Sequence, residues 1–261
     1  MKEHTDFHIS RLILHSLLII SFNVPISQAN IQTMANGLKT LMYSSIDNID
    51  FPPKIRLKSA SQILQNIPLE MMMLEQYGCW CFLSDDPMDV LRGKGMPMDF
   101  FDLMCRDLVQ GYQCAVIDGM ESDEPCYPNL ASYIPYNFDG NGDLIKECQE
   151  SNSNSTCAIN TCILEGNFVI SVYKQLELGH KIQEQLIHGE FSKTDCMRAT
   201  RRSLIPPEKK CCGTYPYRFP FQTIDGEKAC CGSQIYSTLT NQCCEYSELN
   251  LLKLVAVNDT C

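Results

Sequence analysis

The chain has 261 residues and a formal net charge of −10 at pH 7, with 44% of its residues hydrophobic and 20% charged. Such a length allows one or two domains, and the apolar share excludes wholesale disorder. The acidic balance excludes a general nucleic-acid binder and suits cations or basic partners, while sixteen cysteines exclude a reducing compartment and point to a disulfide framework.

The first element is an apolar run, Arg11 to Phe22, behind a basic residue and ending at the small-x-small triplet Ser27–Ala29. It is too short to span a bilayer and reads as a secretory signal over residues 1–29. The expectation is a secreted, extracellular chain that begins near Asn30 and has no transmembrane segment. Residues 30–68 alternate helical fragments with polar breaks, and Phe51–Lys54 (FPPK) stops the pattern. They read as a weakly packed helical leader.

A first cysteine-rich unit covers residues 69–200 and holds nine cysteines. It opens on YGCWC (Tyr77–Cys81), followed by GKGMPMDFFDLMC (Gly93–Cys105). Asp99 stands where a helix N-cap belongs, and Asp102 stands three residues on, at the capping-box position. A second helix is expected from Cys157 to about Gln175. HKIQEQLIHG (His180–Gly189) reads as an amphipathic helix end with His188 in its last turn. Between the two helices lies YNFDGNGDLIKEC (Tyr136–Cys148). Asn137, Asp139, Asn141 and Gly142 match part of a calcium-loop spacing, but Cys148 stands where a bidentate Glu is required. The two turn dipeptides favour a β-hairpin turning at Asp139–Gly142.

Residues 201–210 form a Pro-containing charged linker, and Arg201–Arg202 is a candidate processing site. Residues 211–261 hold seven cysteines in 51 residues, too little core to fold without staples. Cys211–Cys212, Cys230–Cys231 and Cys243–Cys244 are adjacent pairs, and neighbours in a chain hardly bridge each other, so each pair is expected to reach two different partners. This repeat resembles the dicysteine repeats of galaxin-like matrix proteins. Asn154 and Asn258 begin sequons and are candidate glycosylation sites.

The YGCWC and GKGMPMD motifs, with the helix of Cys157, Cys162 and Glu165, resemble secreted phospholipase A2. The resemblance implies a mainly α, disulfide-rich fold with two antiparallel helices, Asp99–Cys114 and Cys157 to about Gln175, and a small β-hairpin. The small cysteine-rich module follows it. It also implies the bridges Cys79–Cys196, Cys81–Cys105, Cys126–Cys157 and Cys148–Cys162. Cys114 is left without its usual partner, whose position is Leu164, and a bridge to the tail balances two odd counts. The pair usual at Met104 and Ser171 is absent together.

In that family a helix histidine is the general base and a neighbouring aspartate holds calcium. Those positions fall at Leu108 and Val109 here; other registers offer only Gln110, Gly111 or Tyr112. Beyond the signal the only histidines are His180 and His188. The acidic insertion with Asp85, Asp86 and Asp89 is the one weak candidate for Ca2+. The sequence therefore favours a non-catalytic scaffold or matrix protein with a protein or matrix partner. A calcium-dependent phospholipase A2 that takes phospholipid, and a receptor-binding or toxin-like module, are the alternatives.

Overall fold

A computed structural model describes residues 33–34, 36–37, 74, 76–82, 95–138, 142–187, 196, 208–223, 226–246 and 251–261. Among them are three α-helices, four two-stranded antiparallel sheets and eight disulfides. No described helix is long and apolar enough to cross a membrane. Residues 1–29, Asp85, Asp86, Asp89, His188, Arg201 and Arg202 lie outside the described residues.

Helix α1 spans Phe100–Glu121. Asp99 caps it, its carboxylate accepting from Asp102 N at 2.9 Å. The expectation ended this helix at Cys114, but Ala115 and Gly119 continue its buried stripe and Ser122 closes it. Phe101, Cys105, Leu108, Val109, Tyr112 and Ala115 recur at helical spacing on that stripe. Helix α2 (Leu144–Ser151) and helix α3 (Thr156–Glu177) follow. Gly111 of α1 faces Leu164 of α3, where a Cβ would lie 2.2 Å from a Leu164 methyl, so the helices pack closely. Near α1's end, Cys126 bridges Cys157 at the start of α3. The two long helices therefore run antiparallel.

Three local expectations are corrected. There is no hairpin between α1 and α3 among the described residues: 131–138 are irregular, and α2 begins at Leu144. Asp143 caps α2, accepting from Ile145 N at 3.0 Å and Lys146 N at 3.1 Å, so a helix rather than a strand follows. Asp139 to Asn141 lie outside the described residues. The helix expected through His180 is also absent. Gly179 adopts φ +83, which ends α3 in the left-handed conformation that glycine tolerates, and only a 3-10 turn, Glu184–Leu186, follows. Finally, the leader is not loosely attached where it is described, since Met34 is 2% exposed and belongs to the main core.

A short antiparallel pair, β1 (Gln76–Tyr77) and β2 (Cys81–Phe82), carries the YGCWC motif. Its turn is fixed by Asp102, which is fully buried. That carboxylate accepts from Cys79 N at 3.0 Å, Trp80 N at 2.7 Å and Met98 N at 2.9 Å. It is not the reciprocal capping-box contact; the side chain instead clasps two loops to the first turn of α1. Cys79–Cys196 and Cys81–Cys105 reinforce the same corner. With Cys126–Cys157 and Cys148–Cys162, these pairs coincide with the ones the resemblance implies.

The tail is three hairpins: β3 (Glu208–Cys212) with β4 (Phe219–Thr223), β5 (Lys228–Cys231) with β6 (Gln234–Ser237), and β7 (Asn241–Tyr246) with β8 (Leu251–Ala256). Residues 208–210, read above as linker, are thus strand. Each cysteine pair sits in the first strand of a hairpin. Successive side chains of a strand point to opposite faces, so the two thiols of a pair are aimed apart. Cys211 reaches back to Cys114 on α1, and Cys212 reaches forward to Cys230. Cys231 reaches Cys243, and Cys244 closes on Cys261. The result is a covalent ladder that starts on α1.

Asp118 of α1 adds a polar dock for the first hairpin. It accepts from Arg218 Nε at 2.7 Å, Arg218 Nη2 at 2.8 Å and the Tyr215 hydroxyl at 2.8 Å. Arg218 Nη1 donates to Gly213 O at 2.7 Å. The two-pronged geometry fixes orientation as well as contact.

Replacing Asp102 tests how firmly the corner depends on one carboxylate. Asp102→Ala orphans three backbone N–H groups in a buried site, so urea unfolding is expected to register a loss of about 3 kcal/mol. A loss under about 1 kcal/mol contradicts the clasp.

Candidate functional site

The long helices meet at Glu165, which is 2% exposed on α3. Tyr112 of α1 donates to its Oε1 at 2.6 Å, and the hydroxyl of Tyr133, from the segment before α2, donates to Oε2. Burial pushes the carboxyl up to about 7, and the two hydroxyl donors hold it back from rising further. Burial first, and then the neighbouring carboxylate, raise both phenols well above their ordinary range, so they remain donors. Around neutral pH the site is therefore a proton-holding node that ties α1, α3 and the intervening segment together.

Among the described residues, the α1 positions one turn before Tyr112 are apolar. Leu108 lies one turn before Tyr112 on α1 and is 3% exposed; Val109 is fully buried. Both belong to the apolar core and supply neither a base nor a metal ligand. Gln110, considered in other registers, is on α1 but outside its buried set, and Gly111 is packed under Leu164. The space beside Glu165, walled by Met34, Tyr136 and Phe138, is about 10 Å3. A second space, about 30 Å3, lies by Leu108. Each is about the size of one or two waters. Met104 and Ser171 both line the second space, and Pro216 and Tyr217 of the tail close it.

The segment Gly95–Asp99 is held by side-chain hydrogen bonds. Trp80 Nε1 donates to Gly95 O at 3.3 Å. The Tyr77 hydroxyl donates to Asp99 Oδ2, while Asp99 Oδ1 takes the helix N–H of Asp102. Among the described residues no three His, Cys, Asp or Glu side chains are grouped to hold a metal. His180 does not join Glu165. It lies in the groove at the start of α1, its ring edge-on to Phe100 at 5.1 Å between centroids. Cys148, at the last position of the calcium-loop spacing, is spent on Cys162. Asn154 is exposed in the turn before α3, and Asn258 is exposed in the turn after β8.

Sequence reasoning picked out Glu165 but not its tyrosines. Tyr112 offered a signal, since it stands one turn after Leu108 on the buried stripe. Tyr133 lies in an irregular stretch, and no local pattern marks it. The Asp118–Arg218 dock was likewise unmarked, because its partners are a hundred residues apart in sequence.

The node sets a pH dependence. The folded proton affinity of Glu165, about 7, lies above its ordinary 4.5. Below 4.5 both folded and unfolded chains hold the proton, so the group contributes nothing. As pH rises toward about 7 the unfolded chain releases the proton first, so stability falls across that window, by on the order of 3 kcal/mol, and then levels. Glu165→Gln is expected to remove this component. Urea midpoints of wild type and variant should differ least below about pH 4.5 and separate as pH rises across the window, the wild type falling relative to the variant. A difference that is flat with pH contradicts the assignment.

No family model, no curated protein and no solved structure matches the chain.

Proposed function

We propose that the chain is a secreted, non-catalytic scaffold or matrix protein built on a phospholipase A2-like helical frame with a dicysteine tail. The observation that carries this reading is the pair Leu108 and Val109. In the register that sets Tyr112 beside Glu165, the positions of the family's base and metal ligand are apolar and buried in the core. Ester hydrolysis in such a frame requires a base within reach of a water, and a cation or donors for the oxyanion. Glu165 is enclosed by two tyrosines beside a space of about 10 Å3, which has no room for a lipid ester.

The extracellular setting is supported by eight disulfides that use all sixteen cysteines. A scaffold role is supported by the ladder, which joins the helices and three hairpins covalently and needs little apolar core of its own. Calcium, if bound, is assigned to the acidic insertion with Asp85, Asp86 and Asp89 and serves cohesion rather than catalysis.

Hydrolysis of a fluorogenic phospholipid by the purified chain, with and without calcium, tests the reading. The expected rate is background in both conditions, because loss of general base catalysis alone removes roughly 10²–10⁴-fold. A robust calcium-dependent rate that disappears in His180→Ala overturns it and makes the chain an enzyme with a relocated base.

A further inference from the structure

A cleft of about 430 Å3 lies where the end of α1, the first turn of α3 and the first hairpin of the tail meet. Thr156 and Asn160 of α3, Thr214 of the hairpin and Glu124 after α1 line it. Tyr215 and the Cys126–Cys157 bridge add apolar wall. Among the described residues the side chains of Thr156, Asn160, Thr214 and Glu124 make no hydrogen bond or ion pair, and Asn160 is half-buried. Exposed polar groups ordinarily meet water. Here an amide, two hydroxyls and a carboxylate converge on one concave space of ligand size.

Charge narrows the class of ligand. Arg218 is the one cation among the described lining residues, and it is engaged: Nε and Nη2 on Asp118, Nη1 on Gly213 O. An anion therefore finds no free counter-charge. A cation finds one free carboxylate, Glu124, whereas hard cations take several oxygens. An uncharged ligand rich in hydroxyls fits the set, since each hydroxyl both donates and accepts.

The chain itself has an attachment point for such a ligand at the rim. Asn154–Thr156 is a sequon, and its third residue, Thr156, belongs to the lining. Asn154 is exposed in the turn just before α3, and two residues of chain keep its Cα within about 7 Å of that of Thr156. We propose that the cleft seats the first sugar rings of an N-glycan carried by Asn154, with the Asn160 amide, the Thr214 hydroxyl and the Glu124 carboxylate as their hydrogen-bond partners. The tether raises the local concentration to about millimolar, so weak contacts suffice. Seated there, the glycan spans from α3 to the first hairpin, across the junction that Cys114–Cys211 and Asp118–Arg218 also hold. The inference goes beyond the scaffold reading and rests only on its extracellular part, since sequons are modified in secreted chains.

The test takes the full chain secreted by a glycosylating eukaryotic host and follows release of the Asn154 glycan by peptide N-glycosidase from the native, non-reduced protein. Mass spectrometry of the peptide reads the conversion of Asn154 to aspartate. A seated glycan offers the enzyme only its unseated fraction, so Asn160→Ala with Thr214→Ala should speed release roughly tenfold. Both substitutions leave the sequon intact, and far-UV circular dichroism checks that the variant is folded. In reduced, denatured chains wild type and variant should release the glycan at the same rate. An unmodified Asn154 in the secreted chain, or equal native release from wild type and variant, overturns the proposal. So does micromolar or tighter binding of free N,N′-diacetylchitobiose to the Asn154→Gln chain, which assigns the cleft to a glycan of a partner. The phospholipid assay above is independent of these outcomes, so failure here leaves the scaffold reading to be judged by that assay.

Discussion

The bridge from Cys114 to Cys211 governs where everything after the helices can go. Cys114 sits on the buried stripe of α1, so its partner has to approach the helix face itself. That approach brings Gly213, Tyr215 and Arg218 to Asp118, one turn further along, and Pro216 and Tyr217 to the seam between α1 and α3. The bridge supplies proximity, and the two-pronged Asp118–Arg218 contact supplies orientation. From Cys212 onward each hairpin is placed by the one before it, through Cys230, Cys231 and Cys243, until Cys244 closes on the last residue. A 51-residue module with so few buried side chains depends on such staples, since cross-links act chiefly by restricting the unfolded chain.

The same helix, α1, turns its inward side chains to structural contacts. Its inward positions serve packing: Leu108 and Val109 fill the core, Tyr112 holds Glu165, and Asp102 gathers three backbone N–H groups. The two buried acids play different parts. Asp102 satisfies amides that would otherwise be orphaned, whereas Glu165 is held by hydroxyls and keeps its proton to about neutral pH. Neither faces solvent.

Much of this was legible in local sequence. The Asp99 cap, the helical spacing of cysteines and apolar residues, and the opposed reach of adjacent cysteines follow from short-range geometry. What escaped was decided by competition or by distance. Asp-Gly and Asn-Gly argued for a turn, but Asp143 followed by Leu144–Ser151 made a capped helix next to it. Gly179 cut a helical pattern that its neighbours would have continued. Asp102 was recognised as a capping residue, yet two of its three amides come from the YGCWC turn some twenty residues earlier. Tyr133 and Arg218 meet their acidic partners only through tertiary structure, and no periodicity announces them.

Helix and tail form one covalent body, and disulfide mapping of the purified chain tests this most directly. Digestion under non-reducing conditions followed by mass spectrometry should recover a peptide pair joining Cys114 to Cys211, with the adjacent cysteines Cys212, Cys231 and Cys244 each linked elsewhere than to their neighbours. A free thiol at Cys114, or a bridge from Cys114 to a cysteine of α3, contradicts it.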